Sequence, residues 1–426
     1  MNILLCGADG FLGRAIANRL EQAGHRVIRG VHHPRQADDI AIDYRRDLEP
    51  EIWLPRLRDV DGVVNAVGIL RERQPGDFER IHHRAPVALF RACAAAGVRR
   101  VVQISALGIS EATPYLRSKQ AADAALLECI PGGACRATVL RPTLIFGQEG
   151  ASTTFFMAQA SLPLLFIPQG AGKVQPVHVD DVTTAVLRAL ELSADSDASQ
   201  TNSRVINFPG PRALTYAEWL ETYRQLMGLA PALHLPVPAF VMAMTARLAE
   251  FSRRSLLCRD TWTMLTQGNC ADAKDGMALT GHPLRDPAAF APPESAAALR
   301  LNALAFWRRP LLLGVLAAIW FLSALVSVGL FPLEESLALL APFGLAGNTA
   351  LVVLGAAIGL DVVMGVMTLW RPGRRLWLAQ FALIIGYTLL IGWRLPEFLL
   401  HPFGPMLKNL AVMALLVQLY AEESRP

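Results

Sequence analysis

Tyr115 and Lys119 stand four residues apart in YLRSK, a spacing that puts both side chains on one face of a helix, roughly 5–6 Å apart at Cβ. A phenol with an ordinary pKa of about 10 exchanges protons poorly near neutrality, and a neighbouring ammonium lowers that value. Tyr115 therefore reads as a general acid or base that Lys119 tunes. A second constellation opens the chain. Gly7, Gly10 and Gly13 in GADGFLG form a GxxGxxG pattern, in which the first glycine permits a tight turn, the second lets backbone approach a diphosphate, and the third lets helix pack against strand. Phe11 and Leu12 open the helix whose amino terminus would face that diphosphate. Together the two patterns point to a dinucleotide beside an acid/base pair.

The elements that position these residues follow from the apolar runs. NILLC reads as a first strand, and RAIANRLEQAG as a helix stopping at Gly24. HRVIRGVHHPRQ supplies a second strand, whose end meets the adenosine ribose in such folds. No carboxylate stands there to repel a 2′-phosphate, while His32 and Arg35 tolerate or pair with one, so NADP(H) is favoured over NAD(H). AIDYRRDL is a third strand ending near Asp43, placed to meet the adenine amino group. VDGVVNAVGIL is a fourth, with Asn65, Ala66, Val67 and Gly68 where backbone must lie against the cofactor. RRVVQISALGI is a fifth, ending at Ser105, and VLRPTLIFG a sixth, ending at Arg141 and Pro142. Strands alternating with helical stretches predict an α/β fold with a parallel, doubly wound sheet that collects ligands at the strands' carboxyl ends.

Farther on, PVHVDDVTTAVLRAL predicts a strand and a helix capped by Asp180 or Asp181. His178, His82 and His83 read as structural histidines. Residues 194–203 form a polar loop, Thr215 caps a helix through TYAEWLETYRQLMG, and ALHLPVPAFVMAMTARLAEF is a strand entering an amphipathic helix. Arg253 and Arg254 are candidates for lipid headgroup contact or for an ordinary solvated helix end.

Composition narrows the function classes. The 426 residues are 53% hydrophobic with a formal net charge of +4, and the charge is not gathered into a basic stripe with interleaved aromatics, which argues against nucleic acid. Six cysteines are scattered, with neither a CxxC pair nor zinc-like spacing, so no metal is expected and the thiols fit a reducing compartment. Met1 leads at once into a strand, without a basic n-region or a long apolar segment, and the amino-terminal part is expected to stay in the cytosol.

The apolar excess lies after residue 305. Pro310 to Phe331 is long enough to span a bilayer without a charge, and further segments run from about Asn348 to Trp370, Leu376 to Trp393 and Leu407 to Tyr420. Four spans leave both termini on one side. Arg308, Arg309, Arg371, Arg374 and Arg375 put that side in the cytosol by the positive-inside rule, against which Arg394 and Lys408 in an outer loop are a mild departure. Asp361 falls within the second span and reads as a neutral helix-to-helix hydrogen-bonding group, and His401 as an interfacial histidine. The tail fixes the soluble part at the bilayer, where a lipophilic substrate partitions, and four helices leave room for a membrane protein partner.

GADGFLG, NAVG, Ser105, YLRSK, LRPTLIFG and PVHVDDV, in that order, resemble the extended and atypical short-chain dehydrogenase/reductases, nearest the branch holding the nucleotide-binding accessory subunit of respiratory complex I. The resemblance covers residues 1 to about 300 and implies a Rossmann domain binding NAD(P)(H), with a substrate lobe at about 150–175 and 208–295. It also implies a catalytic set in which Ser105 hydrogen-bonds the substrate oxygen, Tyr115 exchanges the proton and Lys119 holds the nicotinamide ribose, with Pro142 shaping backbone near the nicotinamide. Residues 301–426 resemble the DoxX-like membrane family. The implied function is hydride transfer to or from a carbonyl or alcohol. Two alternatives stay open: a non-catalytic cofactor-binding sensor or accessory subunit, and an epimerase acting on a sugar nucleotide.

Overall fold

Among the described residues, eleven short strands, most of them rich in Val, Ile and Leu, run through the amino-terminal part: β1 (Asn2–Cys6), β2 (Arg26–Val31), β3 (Ile40–Ala41), β4 (Gly62–Asn65), β5 (Arg100–Ile104), β6 (Arg136–Pro142), β7 (Ile145–Phe146), β8 (Leu164–Pro168), β9 (Val177–His178), β10 (Arg204–Phe208) and β11 (Leu233–Val237). The computed structural model describes residues 1–131, 135–191, 203–252, 255–400 and 406–423. Arg253, Arg254, His401 and all but the last residue of the 194–203 loop lie outside the described residues.

Seven strands form one parallel sheet in the order β10-β6-β5-β4-β1-β2-β3. Successive side chains on a strand point to opposite faces, and both faces here are covered. Leu5, Ile16, Val64, Leu140 and Val186 pack on one side, and Leu4, Trp53, Val63, Phe90 and Leu126 on the other. The order reverses between β1 and β4, so the loops leaving those two strands open a crevice at their carboxyl ends. β3 is shorter than expected because Asp43 leaves the sheet: its carboxylate accepts the Arg45 N–H and its own N–H donates to Asp47, which closes a turn.

Beyond β6 a smaller lobe has its own core of Phe146, Trp219, Tyr223, Phe290, Leu299 and Ala303, and β8 pairs with β11 in a separate two-stranded parallel sheet. The Tyr216–Leu226 helix starts with the expected Thr215 cap, here a full capping box with Glu218. Asp180 and Asp181 are not caps. Both lie in the first turn of the Val179–Glu191 helix, where the Asp181 carboxylate accepts the Arg285 backbone N–H and Asp180 pairs with the Arg285 guanidinium. His178 is buried and stacked near Phe146 and Phe290, as a structural histidine.

The chain divides into two compact units, Met1–Ala303 and Leu304–Pro426. In the second, the long helix beginning at Ala296 and the Gly347–Trp370 and Arg374–Arg394 helices are long and apolar enough to cross a membrane. The expected fourth span is a 15-residue helix, Lys408–Glu422, which at 1.5 Å per residue falls short of a bilayer's hydrocarbon thickness. It nevertheless packs with the others, contributing Leu416 and Leu419 to a core with Leu316, Trp320, Trp377 and Ile384. Arg308 pairs with Glu422 at 2.6 Å and Arg309 with Glu423 at 2.6 Å, while Arg374 donates to the Glu423 carbonyl, so this helix ends beside the start of the first helix's apolar run and the start of the third helix. Asp361 makes no hydrogen bond among the described residues. Gln380 takes the helix-bridging role expected of Asp361, accepting from Trp320 Nε1–H at 2.9 Å and donating to Thr368 Oγ1 at 2.8 Å. A neutral amide carries both a donor and an acceptor, and so joins two helices without burying charge.

Candidate active site

The first loop is shaped by what its glycines lack. Gly7 takes a left-handed φ of +82°, and a Cβ on Gly13 would stand 2.0 Å from the Gly7 carbonyl oxygen. The following helix, Phe11–Gln22, has no acidic residue in its first turn, and no side chain caps its amino terminus. Its leading N–H groups are thus left for an anion, which is the arrangement a dinucleotide diphosphate requires. Phe11 turns its ring against Gly147 and Leu12 packs on the core, so what these two residues can offer a ligand is backbone. From the facing strand, Ala66 and Val67 approach Gly7 closely enough to leave little space for a side chain there.

Asn65 is wholly buried and contributes no side chain to the crevice. Its amide accepts from the Tyr44 hydroxyl at 2.8 Å and from the Val67 N–H, and donates to Gln103 at 2.7 Å, which fixes the backbone path of 66–68. At the end of β2, His32 and Arg35 are exposed. The nearby Asp39 carboxylate accepts the N–H groups of Arg35 and Gln36 at 2.8 and 3.0 Å, and those bonds hold it below the usual carboxylate range. Arg29 pairs with Glu21 at 2.8 Å.

Thr113 caps the Pro114–Cys129 helix by accepting the Leu116 N–H, and Pro114 opens its first turn. That start sets Tyr115, Lys119 and Asp123 at successive fourth positions, along one helix face. Lys119 is buried, and its ammonium donates to the Val67 carbonyl at 2.9 Å and the Ile104 carbonyl at 3.1 Å, spanning the ends of β4 and β5. Burial lowers its pKa to about 8, with Asp123 opposing the shift. Two of the ammonium's three protons are engaged, and one remains for a ligand.

The Tyr115 hydroxyl has no hydrogen-bond partner among the described residues. Contrary to the expectation that Lys119 lowers it, the Tyr115 pKa is pushed up to about 12, first by desolvation and second by the Asp123 charge. Ser105 donates its hydroxyl proton to Asp123 at 2.8 Å, and Arg141 Nε donates to the same carboxylate oxygen at 2.8 Å. Burial raises the Asp123 pKa against the pull of both donors. Pro142 is buried and its carbonyl accepts the Leu107 N–H, which orders the strand end beside Ser105.

Asp123 and His82 belong to this cluster and were not singled out from the sequence as site residues. His82 Nε2 accepts the Ile69 N–H at 3.0 Å, so Nδ1 carries the proton and donates to Ser118 Oγ, also at 3.0 Å. Ser118 donates in turn to the Tyr115 carbonyl. Burial drives the His82 pKa down to about 2, with the Lys119 charge adding to it, so the imidazole is neutral. It ties the 67–69 loop to the Tyr115 helix, and the Tyr115 ring stands edge-on to it at 5.4 Å. Only the spacing of Tyr115 and Asp123 hinted at the first of these residues, and nothing distinguished His82 from His83.

Lys119 thus joins the β4–β5 strand ends next to Ser105, Tyr115 lies one helical turn away against His82, Gly7 to Gly13 line the adjoining loop, and His32, Arg35 and Asp43 lie toward the other edge of the sheet. Among the described residues no group of three or more His, Cys, Asp or Glu side chains is placed to hold a metal ion.

Comparison with known proteins agrees with this architecture. The NAD dependent epimerase/dehydratase family matches residues 3–203, and the DoxX-like family matches residues 317–417. The chain is 30% identical over 251 residues to NADH dehydrogenase [ubiquinone] 1 alpha subcomplex subunit 9, mitochondrial, of Arabidopsis thaliana, covering 54% of this chain and 60% of that subunit. It spans less than two thirds of the length of the Arabidopsis and mouse subunits, at 60% and 66%. It is 27% identical over 263 residues to ceramide reductase of Caulobacter vibrioides, covering 53% of this chain and 78% of that protein. Among solved structures, a human epimerase family protein with NADPH shares the fold at a TM-score of 0.51 and 20% identity, covering 71% of this chain and 99% of that one. A UDP-glucuronic acid 4-epimerase from Bacillus cereus in complex with UDP-glucuronic acid and NAD does so at 0.52 and 16%, with coverages of 71% and 99%. Residues 3–203 thus combine a Rossmann fold with a match to the NAD dependent epimerase/dehydratase family, and are followed in the same chain by a segment that matches the DoxX-like family.

Proposed function

We propose that this chain is a membrane-bound oxidoreductase that binds NADP(H) in preference to NAD(H) and interconverts a carbonyl and an alcohol on a lipophilic substrate. One observation carries the reading: a buried ammonium, Lys119, is clamped by two strand-end carbonyls with one donor left over, one helical turn from a tyrosine whose hydroxyl has no protein partner. Relatives named as a ceramide reductase and a 2-alkyl-3-oxoalkanoate reductase support it.

In this reading the uncapped Phe11–Gln22 helix and Gly7 to Gly13 hold the diphosphate, and Gly68 leaves room beside Lys119, where a Cβ would lie 3.1 Å from Nζ. The free Lys119 donor holds a ribose hydroxyl. When bound, the nicotinamide supplies or accepts the hydride, and its oxidised ring adds the positive charge that the elevated Tyr115 pKa calls for. Tyr115 moves the proton at its Oη. Ser105 turns from Asp123 to orient the substrate oxygen. His82 holds the Tyr115 helix to the 67–69 loop.

The residues that directly follow β2, His32 to Arg35, include no carboxylate, which supports the NADP(H) preference. Arginines just before the first apolar run and at the start of the third long helix support a cytosolic position for the Rossmann domain.

A second reading, a cofactor-binding accessory subunit without turnover, is favoured by the Ser105 proton held on Asp123 and by the likeness to a complex I subunit. The full chain in detergent micelles, titrated with NADPH and NADH and then mixed with long-chain ketones and quinones, separates the two. The oxidoreductase reading expects tighter NADPH binding and substrate-dependent NADPH oxidation. Tight binding with no oxidation by any such substrate, alongside a stoichiometric co-purifying partner, favours the accessory subunit.

A further inference from the structure

The small lobe carries an apolar surface that its own core does not use. In the β8–β11 pair, Leu164 is opposite Leu233 and Phe166 opposite Leu235, so all four side chains share one face of the two-stranded sheet, and all four are exposed, Leu233 to 75%. The chain leaves β11 through Pro238 into the Ala239–Ala249 helix, AFVMAMTARLA, of which only Ala246 is buried. Phe240, Met244, Leu248 and Phe251 follow one another at intervals of four, four and three residues, a single stripe down that helix and its end. Phe240 is 72% exposed and Phe251 89%. The turn after this helix is clamped, because Arg71 donates to the carbonyls of Glu250, Ser252 and Ser255.

We infer that this face, β8–β11 with the Ala239–Ala249 helix, lies in the headgroup layer of the phospholipid bilayer that the chain's own long helices cross. The chain's reach argues for lipid as the occupant. Leu299 and Ala303 are buried in the core of this same lobe, and the apolar run of the first span opens at Pro310. Six residues lie between Ala303 and Pro310, a path of about 10 Å as helix and about 25 Å fully extended, so the lobe is always within a short distance of a membrane surface. The chemistry agrees. An aromatic and aliphatic stripe with exposed Arg247 beside it, followed in sequence by Arg253 and Arg254, has the composition of a segment that lies in an interface with anionic headgroups. Such a segment sinks its apolar side chains about 5–10 Å. The contact does not depend on the redox reading; if that reading holds, it brings the lobe to the layer where a lipophilic substrate resides.

The test uses the full chain reconstituted in vesicles of phosphatidylcholine and phosphatidylglycerol, with Cys270→Ser removing the exposed native thiol. An environment-sensitive fluorophore is placed at Met244→Cys or Phe251→Cys, and at Arg188→Cys as a solvent-facing control. Brominated lipids are expected to quench the first two labels about threefold more than the control. The double variant Leu248→Glu with Phe251→Glu is expected to abolish the extra quenching at 244 while nucleotide titration remains unchanged. Quenching equal to the control overturns the inference. So does a blue-shifted label that bromolipid does not quench, because protein, either a second copy or another part of this chain, would then be covering the face.

Discussion

Each unit of this protein buries a polar cluster, and the two clusters are built from different chemistry. Around Lys119 the buried groups are titratable, comprising an ammonium, the Asp123 carboxylate and the His82 imidazole, with the Tyr115 phenol beside them, and each is shifted from its ordinary pKa by burial. Around Gln380 the buried groups are neutral: an amide, an indole and a hydroxyl that satisfy one another. Charge in a low-dielectric interior is costly and is retained where it performs a task, whereas neutral donors and acceptors hold elements together at little cost. On the function proposed above, the chemistry belongs to the Rossmann unit, and the neutral cluster around Gln380 serves packing.

The largest effect that would break this division is at the nucleotide loop. Gly13→Val forces side-chain atoms into the Gly7 carbonyl, and nucleotide titration should lose all detectable saturation, an affinity loss on the order of a hundredfold or more. Wild-type binding by that variant would remove the diphosphate from this loop. Next in size is a pH effect. Below about 8 the Lys119 ammonium keeps its third proton for a ribose hydroxyl, and above it the amine binds more weakly, so nucleotide affinity should fall roughly tenfold as pH rises through that value. Lys119→Ala should flatten the profile; an unchanged slope in that variant would assign the titration elsewhere.

Smaller effects sharpen the comparison from the membrane side. Gln380→Leu strands the Trp320 indole N–H and removes the bond to Thr368, and should destabilise the detergent-solubilised chain by about 0.6–1.7 kcal/mol, seen as a melting midpoint a few degrees lower. Its nucleotide affinity should match the wild type. Smallest of all, Asp361→Asn should leave turnover within about twofold, because among the described residues that carboxylate has no hydrogen-bond partner that a neutral isostere would lose. A tenfold fall there would mean that the membrane unit shares in the chemistry.

What could be read from the sequence was what rests on local pattern. Glycine spacing, strand-length apolar runs and the i, i+4 pair placed Gly7 to Gly13, the parallel sheet and the Tyr115 helix, since each is determined within one or two elements. The partners of those residues were not legible. Asp123 meets Ser105 and Arg141 only because β5, β6 and the Tyr115 helix pack together, and His82 reaches Ile69 across two elements. The Tyr115 pKa was misjudged for the same reason: the spacing revealed the nearby ammonium but neither the burial nor the opposing carboxylate. In the membrane unit, hydropathy found the three long helices and the short fourth one, while the bridging residue proved to be Gln380 and not Asp361.

Tyr115→Phe, measured in the full chain in a bilayer with saturating NADPH and a reducible lipophilic ketone, addresses the central claim most directly. The account predicts nucleotide affinity within a few-fold of wild type and a turnover lower by roughly 10²–10⁴. Full turnover without that hydroxyl would contradict it.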